Sequence, residues 1–267
     1  MVSVRRGVAR IAAAVFVLAG LDAPGVADQW DADVVILGEV HDNREAHLRQ
    51  ARMIEKLRPM TMVFEMLSAE AAQRASQADR SDPAAIALAT QWDMTDWPAF
   101  ELYAPIFMAG RSARIEGGGV SREDARRAIF SSAFRVFGPD GRRFGLDRPL
   151  PRKEQAARET LKAKVHCGAM PAALMRGFVE AQRLRDAALA RAVLAALEAH
   201  GPPVALIAGH GHARKDWGVP RLIALAAPEV KVHSIAYVET QSDAPFDETV
   251  LVPATQRDDP CVQLRQR

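Results

Sequence analysis

A strand, a helix and a second strand follow one another early in this chain, and the connections between them are short. Asp33 to Leu37 (DVVIL) is an apolar, β-branched run ending at Gly38, which predicts a buried strand. Asn43 to Leu57 has apolar residues at helical spacing before Pro59, and Thr61 to Met66 (TMVFEM) predicts the next strand. Strands joined through one helix pair in parallel with a right-handed crossover. This order therefore indicates an α/β fold.

The rest of the chain extends the same sheet after a long helical interruption. Residues from about 68 to 199 are dominated by helical patterns, which end in a long helix from Ala172 to His200. Pro203 to Ala208 (PVALIA) and Val230 to Val238 return to the strand pattern. No polar linker rich in proline and glycine bounds the helical section, so we expect one domain over residues 28–267. Its predicted fold is a mainly parallel β-sheet core flanked by helices, with a large helical insertion between the second strand and the later strands.

The first 27 residues have the pattern of a secretory signal peptide. Arg5, Arg6 and Arg10 carry positive charge without any acid, and Ile11 to Leu21 is an apolar run of about eleven residues. That run is shorter than the roughly 20 residues that a membrane span needs. Small residues then lead to Ala27, where we expect cleavage; a retained N-terminal anchor is the alternative. No cysteine lies near this position to carry a lipid anchor, so we predict a soluble, periplasmic or otherwise exported protein.

Composition excludes some partners and leaves the state of the cysteines open. The net charge of +2, with 25% charged residues, gives no case for nucleic-acid binding. The hydrophobic share of 49% is sufficient for a packed core. The chain has two cysteines, Cys167 and Cys261, and export would allow them to form a disulfide. Free or metal-bound thiols are the alternative, because His166 precedes Cys167.

Acidic and histidine side chains stand at the carboxyl ends of three predicted strands. The first strand leads into Glu39 and His41, the second carries Glu65, and a later strand leads into His210 and His212. Ligands of open α/β sheets bind at the carboxyl ends of the strands, so we expect these side chains to share one cavity. Of the two later histidines, we expect His210 to be the more structural, because it lies nearer the strand.

Two chemistries suit such a cluster. Glu39, His41, Glu65 and His212 could act as catalytic residues that take and give protons in a hydrolase. The same groups could bind a divalent metal. Glu39-Val40-His41 does not match the helical HExxH zinc motif, so the sequence indicates no standard metal site and does not identify a metal. On the long helix, Arg185 could hold a ligand carboxylate, with a solvated helix face as the alternative. Glu65 could instead pair with a buried arginine.

Several short motifs occur in a recognisable order along nearly the whole mature chain. They are Gly38-Glu39-Val40-His41 with Asp42-Asn43, Phe64-Glu65-Met66, Ala181-Gln182 with Arg185-Asp186, and Gly209-His210-Gly211-His212 with Gly218-Val219-Pro220. Smaller ones are Trp97 with Tyr103-Ala104-Pro105, His166-Cys167-Gly168 and Asp258-Asp259-Pro260-Cys261. In this order the motifs resemble those of the ChaN-like haem-binding proteins. That family belongs to a superfamily with the Tiki and TraB proteases and is related to the erythromycin esterases.

The resemblance implies a haem-binding protein that acts in haem or iron acquisition at the cell envelope. The characterised family type binds haem as a stacked pair between two subunits, with tyrosine as an iron ligand, which implies a homodimer around stacked haems and envelope transport components as partners. Tyr103 lies in a family-like segment and is the expected iron ligand, with His41, His210, His212 and Arg185 as further haem-binding residues. The esterase and protease relatives make a hydrolase, with or without a metal, the alternative. Many relatives are lipoproteins, and this sequence departs from them because it has no cysteine near the expected cleavage site to carry a lipid.

Overall fold

Six parallel strands form a single sheet in the computed structural model, which describes residues 31–259 and 261–262. The strand order across the sheet is β3-β2-β4-β1-β5-β6. The strands are β1 (Val34–Glu39), β2 (Thr61–Phe64), β3 (Arg114–Gly117), β4 (Val204–Gly209), β5 (Val232–Val238) and β6 (Glu248–Leu251). Each neighbouring pair is parallel, which confirms the predicted fold class. The predicted signal peptide lies outside the described residues.

Helices cover both faces of the sheet. They are α1 (Arg44–Leu57), α2 (Ala69–Gln77), α3 (Pro83–Thr90), α4 (Phe100–Ala109), α5 (Arg122–Phe130), α6 (Ala133–Phe137), α7 (Arg152–Val165), α8 (Ala172–His200) and α9 (Val219–Ala226). One hydrophobic core lies between the sheet and α1 and α4, and a second lies between the sheet and α8 and α9. With helices on both faces, every residue of β1 and β4 is buried, as in other parallel sheets.

Helix boundaries follow the capping residues of the sequence. The side chain of Asn43 accepts a hydrogen bond from the Ala46 amide and begins α1, and Ser68 begins α2 in the same way. Residues 68–200 hold α2 to α8, which confirms the predicted large helical insertion, and they also contribute β3 at the edge of the sheet. The insertion is therefore built into the sheet through one short strand.

The two cysteines form a disulfide, which decides between the alternatives that the sequence left open. Cys167 follows the end of α7, and Cys261 lies in the C-terminal segment after β6. That segment is also held by Arg257, whose guanidinium hydrogen-bonds to both Asp42 and Glu239. The C-terminal segment thus connects the loop after β1 with the end of α7.

None of the helices in the described ranges is both long and apolar enough to cross a membrane.

Candidate functional site

The end of β1 places a buried carboxylate at the centre of a polar cluster. Glu39 pairs in register with Gly209 of β4, and its side chain is fully buried. Its Oε1 accepts hydrogen bonds from His41 Nδ1 at 2.9 Å and from the Tyr103 hydroxyl at 3.0 Å. His47 Nε2 lies 3.2 Å from Oε2, in contact but without the alignment of a hydrogen bond. Burial raises the pKa of Glu39, but the contacts with His41 and His47 outweigh it and bring the pKa to about 2.

A second buried carboxylate, at the end of β2, belongs to a neighbouring network. His212 lies between two acids, with Nε2 at 3.1 Å from Glu65 Oε1 and Nδ1 at 2.6 Å from Asp186 Oδ1. The Gly209 amide donates to Glu65 Oε2 at 2.8 Å. Burial lowers the pKa of His212, but the charges of Glu65 and Asp186 outweigh it and raise the pKa to about 10. His212 is therefore an imidazolium at neutral pH, fixed inside the protein.

His41 joins the two networks at the edge of the cavity. Its Nε2 lies 3.8 Å from Glu65 Oε2, and its side chain is 33% exposed. Burial lowers the pKa of His41, but the hydrogen bond with Glu39 and the charge of Glu65 outweigh it and raise the pKa. This approach needs a glycine at position 209, because a Cβ there would lie 2.7 Å from His41 Nε2.

His210 is the strand-end histidine with a neutral ring and an unused nitrogen. Its Nδ1 lies 3.0 Å from the main-chain carbonyl of Glu39, and since a carbonyl only accepts, Nδ1 carries the proton. Nε2 then has a lone pair, and no described residue hydrogen-bonds to it. Burial lowers the pKa of His210 and favours the neutral ring. A ring oriented by Nδ1–H and a backbone carbonyl is typical of metal-ligating histidine.

A cleft of about 440 Å³ opens over these residues. Its volume lies in the range of about 300–1,000 Å³ typical of small-molecule sites. Leu161, Val165, Val179 and Trp217 provide its apolar lining. The polar lining includes His41, His210, Gln182, Asp186, Arg158, Lys162 and Arg214. The cleft therefore combines one apolar wall, formed largely by α7, with histidines and cations.

The structure brings together all five side chains that the sequence placed at the strand ends: Glu39, His41, Glu65, His210 and His212. The roles of the last two differ from expectation. His212 is only 5% exposed and is the internal residue, whereas His210 is partly exposed in the cleft. His212 is the internal residue because its Nδ1 contacts Asp186 of α8 inside the protein.

Tyr103 and Arg185 do not line the cleft. Tyr103 is 0% exposed, and its hydroxyl donates to Glu39. Burial and the charge of Glu39 raise its pKa, which opposes formation of a phenolate. The only other tyrosine of the chain, Tyr237, is 2% exposed in β5. In this conformation, the burial of Tyr103 argues against a direct bond from its oxygen to iron.

Sequence reasoning missed the wall of the cleft that α7 provides. Arg158, Leu161, Lys162 and Val165 all line the cleft. They follow the spacing i, i+3, i+4 and i+7, which places them on one face of the helix. This face was visible in the sequence, but nothing in the pattern of α7 indicated that it points to the strand ends.

The described residues contain no group of three or more His, Cys, Asp or Glu side chains that could hold a metal ion.

Comparison with known proteins gives both structural and sequence matches. The fold is similar to ChaN of Campylobacter jejuni, whose structure shows cofacial haem binding, with a TM-score of 0.63 and 19% identity over 82% of this chain and 86% of that one. The type III effector HopBA1 matches with a TM-score of only 0.38 and 12% identity, over 80% of this chain and 81% of that one. No curated protein matches the sequence. The family model for haem-binding uptake proteins of the Tiki superfamily, ChaN, matches residues 26–223. This chain therefore belongs to the ChaN family of haem-binding proteins.

Proposed function

We propose that this protein binds haem in the cleft at the carboxyl ends of β1 and β4, and that it serves haem or iron acquisition at the cell envelope. The observation that carries the proposal is His210, a neutral cleft-lining imidazole whose Nε2 is unused and whose orientation is fixed by the Glu39 carbonyl. Histidine is a common ligand of haem iron, and when haem is bound its iron would be the metal that His210 holds.

The apolar side of the cleft suits a porphyrin. Leu161 and Val165 on α7 are 38% and 57% exposed, so part of this wall remains accessible to a ligand. Val179 and Trp217 continue the same lining. A flat, largely apolar ring would cover Leu161, Val165 and Trp217 and remove their exposed surface from water, at about 25 cal/mol per Å² of apolar area, whereas Val179 is already buried. Cations on the same wall match the carboxylates that haem carries.

His41 is the second candidate for contact with the iron. It lines the same cleft, but Glu39 and Glu65 stabilise its protonated form, which cannot ligate a metal. Ligation of a metal by His41 would therefore compete with its contacts to Glu39 and Glu65. No carboxylate of the described residues pairs with His210, and we therefore propose that His210 would hold the iron of a bound haem.

We further propose that the protein is exported and works as a homodimer around stacked haems, with envelope transport components as partners. Export is supported by the signal-peptide pattern of residues 1–27 and by the Cys167–Cys261 disulfide, since disulfides persist in oxidising compartments. The dimer is supported by the cofacial haem binding of the Campylobacter jejuni ChaN. Sedimentation of the mature chain with and without haem tests it: dimerisation on haem addition is expected, and a monomer at saturation contradicts it.

The geometry gives the hydrolase alternative less support. A general base must be unprotonated at working pH, whereas His212 and His41 are both stabilised in the protonated form by neighbouring carboxylates. Neither Glu39 nor Glu65 is free to act as a base, because each is held by histidine contacts inside the protein.

The test is titration of the mature protein with haemin, followed by its Soret absorption. The wild type is expected to shift the Soret band with saturation. His210→Ala is expected to change the band position and weaken binding. The matched control is His200→Ala at the end of α8, about 21 Å along the helix from Asp186, which is expected to behave as wild type. Absence of binding by the wild type contradicts the function, and an unchanged spectrum in His210→Ala contradicts the assigned ligand.

A further inference from the structure

One lysine and two arginines line the cleft, and both arginines already contact a carboxylate. The guanidinium of Arg158 pairs with Glu154 one helical turn away on α7. Arg214 makes two hydrogen bonds to Asp216, with Nε at 3.0 Å from Oδ1 and Nη2 at 2.8 Å from Oδ2. Both arginines therefore have a carboxylate partner before any ligand enters, although Arg158 shares Glu154 with Arg221.

The same two arginines are also held in place by an aromatic ring. The guanidinium carbon of Arg158 lies 5.1 Å from the centroid of the Trp217 ring, and that of Arg214 lies 3.8 Å from it. Cation–π contacts of this kind stabilise the guanidinium positions. Turning either arginine toward a ligand would break an ion pair and a ring contact together.

Lys162 is the cleft-lining cation that differs from both. It forms no ion pair with any carboxylate of the described residues, and its ammonium group donates to Gln182 Oε1 at 2.8 Å. Burial lowers the pKa of Lys162, which means that its positive charge is poorly solvated there. Asp186 and Glu65 act on it only through space. An unpaired ammonium in a cleft is stabilised by an anion that arrives with the ligand.

We propose that Lys162 binds a carboxylate of the ligand, so that this cleft selects porphyrins with free propionate groups over porphyrins whose propionates are esterified. This inference rests on the proposed haem binding and specifies the ligand class for that site. Lys162 lies one position after Leu161 and three before Val165, so the charged contact and the apolar contacts come from the same helix. The long side chain lets the ammonium exchange Gln182 for a carboxylate while its stem stays against the wall.

The experiment compares haemin with haemin dimethyl ester on the folded mature protein. The wild type is expected to bind haemin more tightly than the ester by about 10-fold, the equivalent of about 1.4 kcal/mol. Lys162→Met keeps the length and apolar stem but removes the charge, and it is expected to lose this preference while it binds the ester as before. Lys162→Arg is expected to retain the preference.

Lys164→Met is the matched control, because Lys164 is an exposed lysine on the same helix outside the cleft. It is expected to leave both affinities unchanged. Equal wild-type affinity for haemin and the ester overturns the role of Lys162 but leaves haem binding intact, as does a full preference in Lys162→Met. Failure of the wild type to bind either porphyrin contradicts the proposed function itself.

Discussion

Replacement of His212 by asparagine should destabilise the fold severely, because it leaves two buried acids without their shared cation. The pKa of His212 rises from 6.5 to about 10 in the folded protein. At about 1.36 kcal/mol for each pKa unit, the folded state favours the imidazolium by about 5 kcal/mol. Removing one partner of a buried ion pair typically costs about 3–5 kcal/mol. We therefore expect the free energy of unfolding to fall by about 3–5 kcal/mol at pH 7.

This loss is measured by urea denaturation followed by far-UV circular dichroism. A domain of this kind has about 5–15 kcal/mol of stability in total, so the variant should unfold at a much lower urea concentration. The control is the double variant His212→Asn/Asp186→Asn, which also removes one of the stranded charges. Since the two side chains contact each other, their effects should not add, and the double variant should be more stable than the sum of the single effects predicts.

The pH dependence gives an independent check on the same network. Because the folded pKa of His212 is raised, its stabilisation is complete below about pH 6.5 and is lost as the pH rises through about 10. The stability difference between wild type and His212→Asn should therefore shrink at alkaline pH. A destabilisation below 1 kcal/mol at pH 7, or strictly additive effects in the double variant, would refute the reasoning.

Two further predictions concern the same strand ends. Gly209→Ala should lower the melting temperature and weaken haem binding, because the added Cβ would lie 2.7 Å from His41 Nε2. The control is Gly211→Ala, whose Cβ would have no atom within 4 Å and which should match the wild type in both measurements. Equal melting temperatures for the Gly209→Ala variant and the wild type would contradict this prediction. Glu39→Gln should reduce stability at neutral pH by up to about 3 kcal/mol. The pKa of Glu39 is lowered from 4.5 to about 2, so its stabilisation is present above pH 4.5 and is lost as the pH falls through 2, and the difference from wild type should vanish in acid.

The sheet and the strand-end cluster could be predicted because they depend on local patterns and one general rule. Apolar runs identify β1, β2 and β4, and parallel pairing brings their carboxyl ends to one edge, with Glu39, Glu65 and the 209–212 turn upon it. No knowledge of the helices is needed for this step. The predicted long helix, Ala172 to His200, has the same bounds in α8.

The internal roles within the site depend on contacts between distant segments, which the sequence pattern does not reveal. His212 is internal because Asp186 of α8 reaches it, and these residues are 26 positions apart. Tyr103 is buried because α4 packs against α1, where its ring lies 4.4 Å from that of His47. Lys162 faces the cleft because α7 packs on α8. Each placement follows from helix packing rather than from spacing along the chain.

The C-terminal segment links the end of α7 to the loop after β1 through one disulfide and one ion pair. Helix α7 contributes to the apolar wall, and the disulfide after it joins α7 to a segment whose Arg257 pairs with Asp42, the residue after the cleft-lining His41. While the disulfide is intact, movement of α7 away from the loop after β1 would have to stretch the C-terminal segment or break the pair of Arg257 with Asp42.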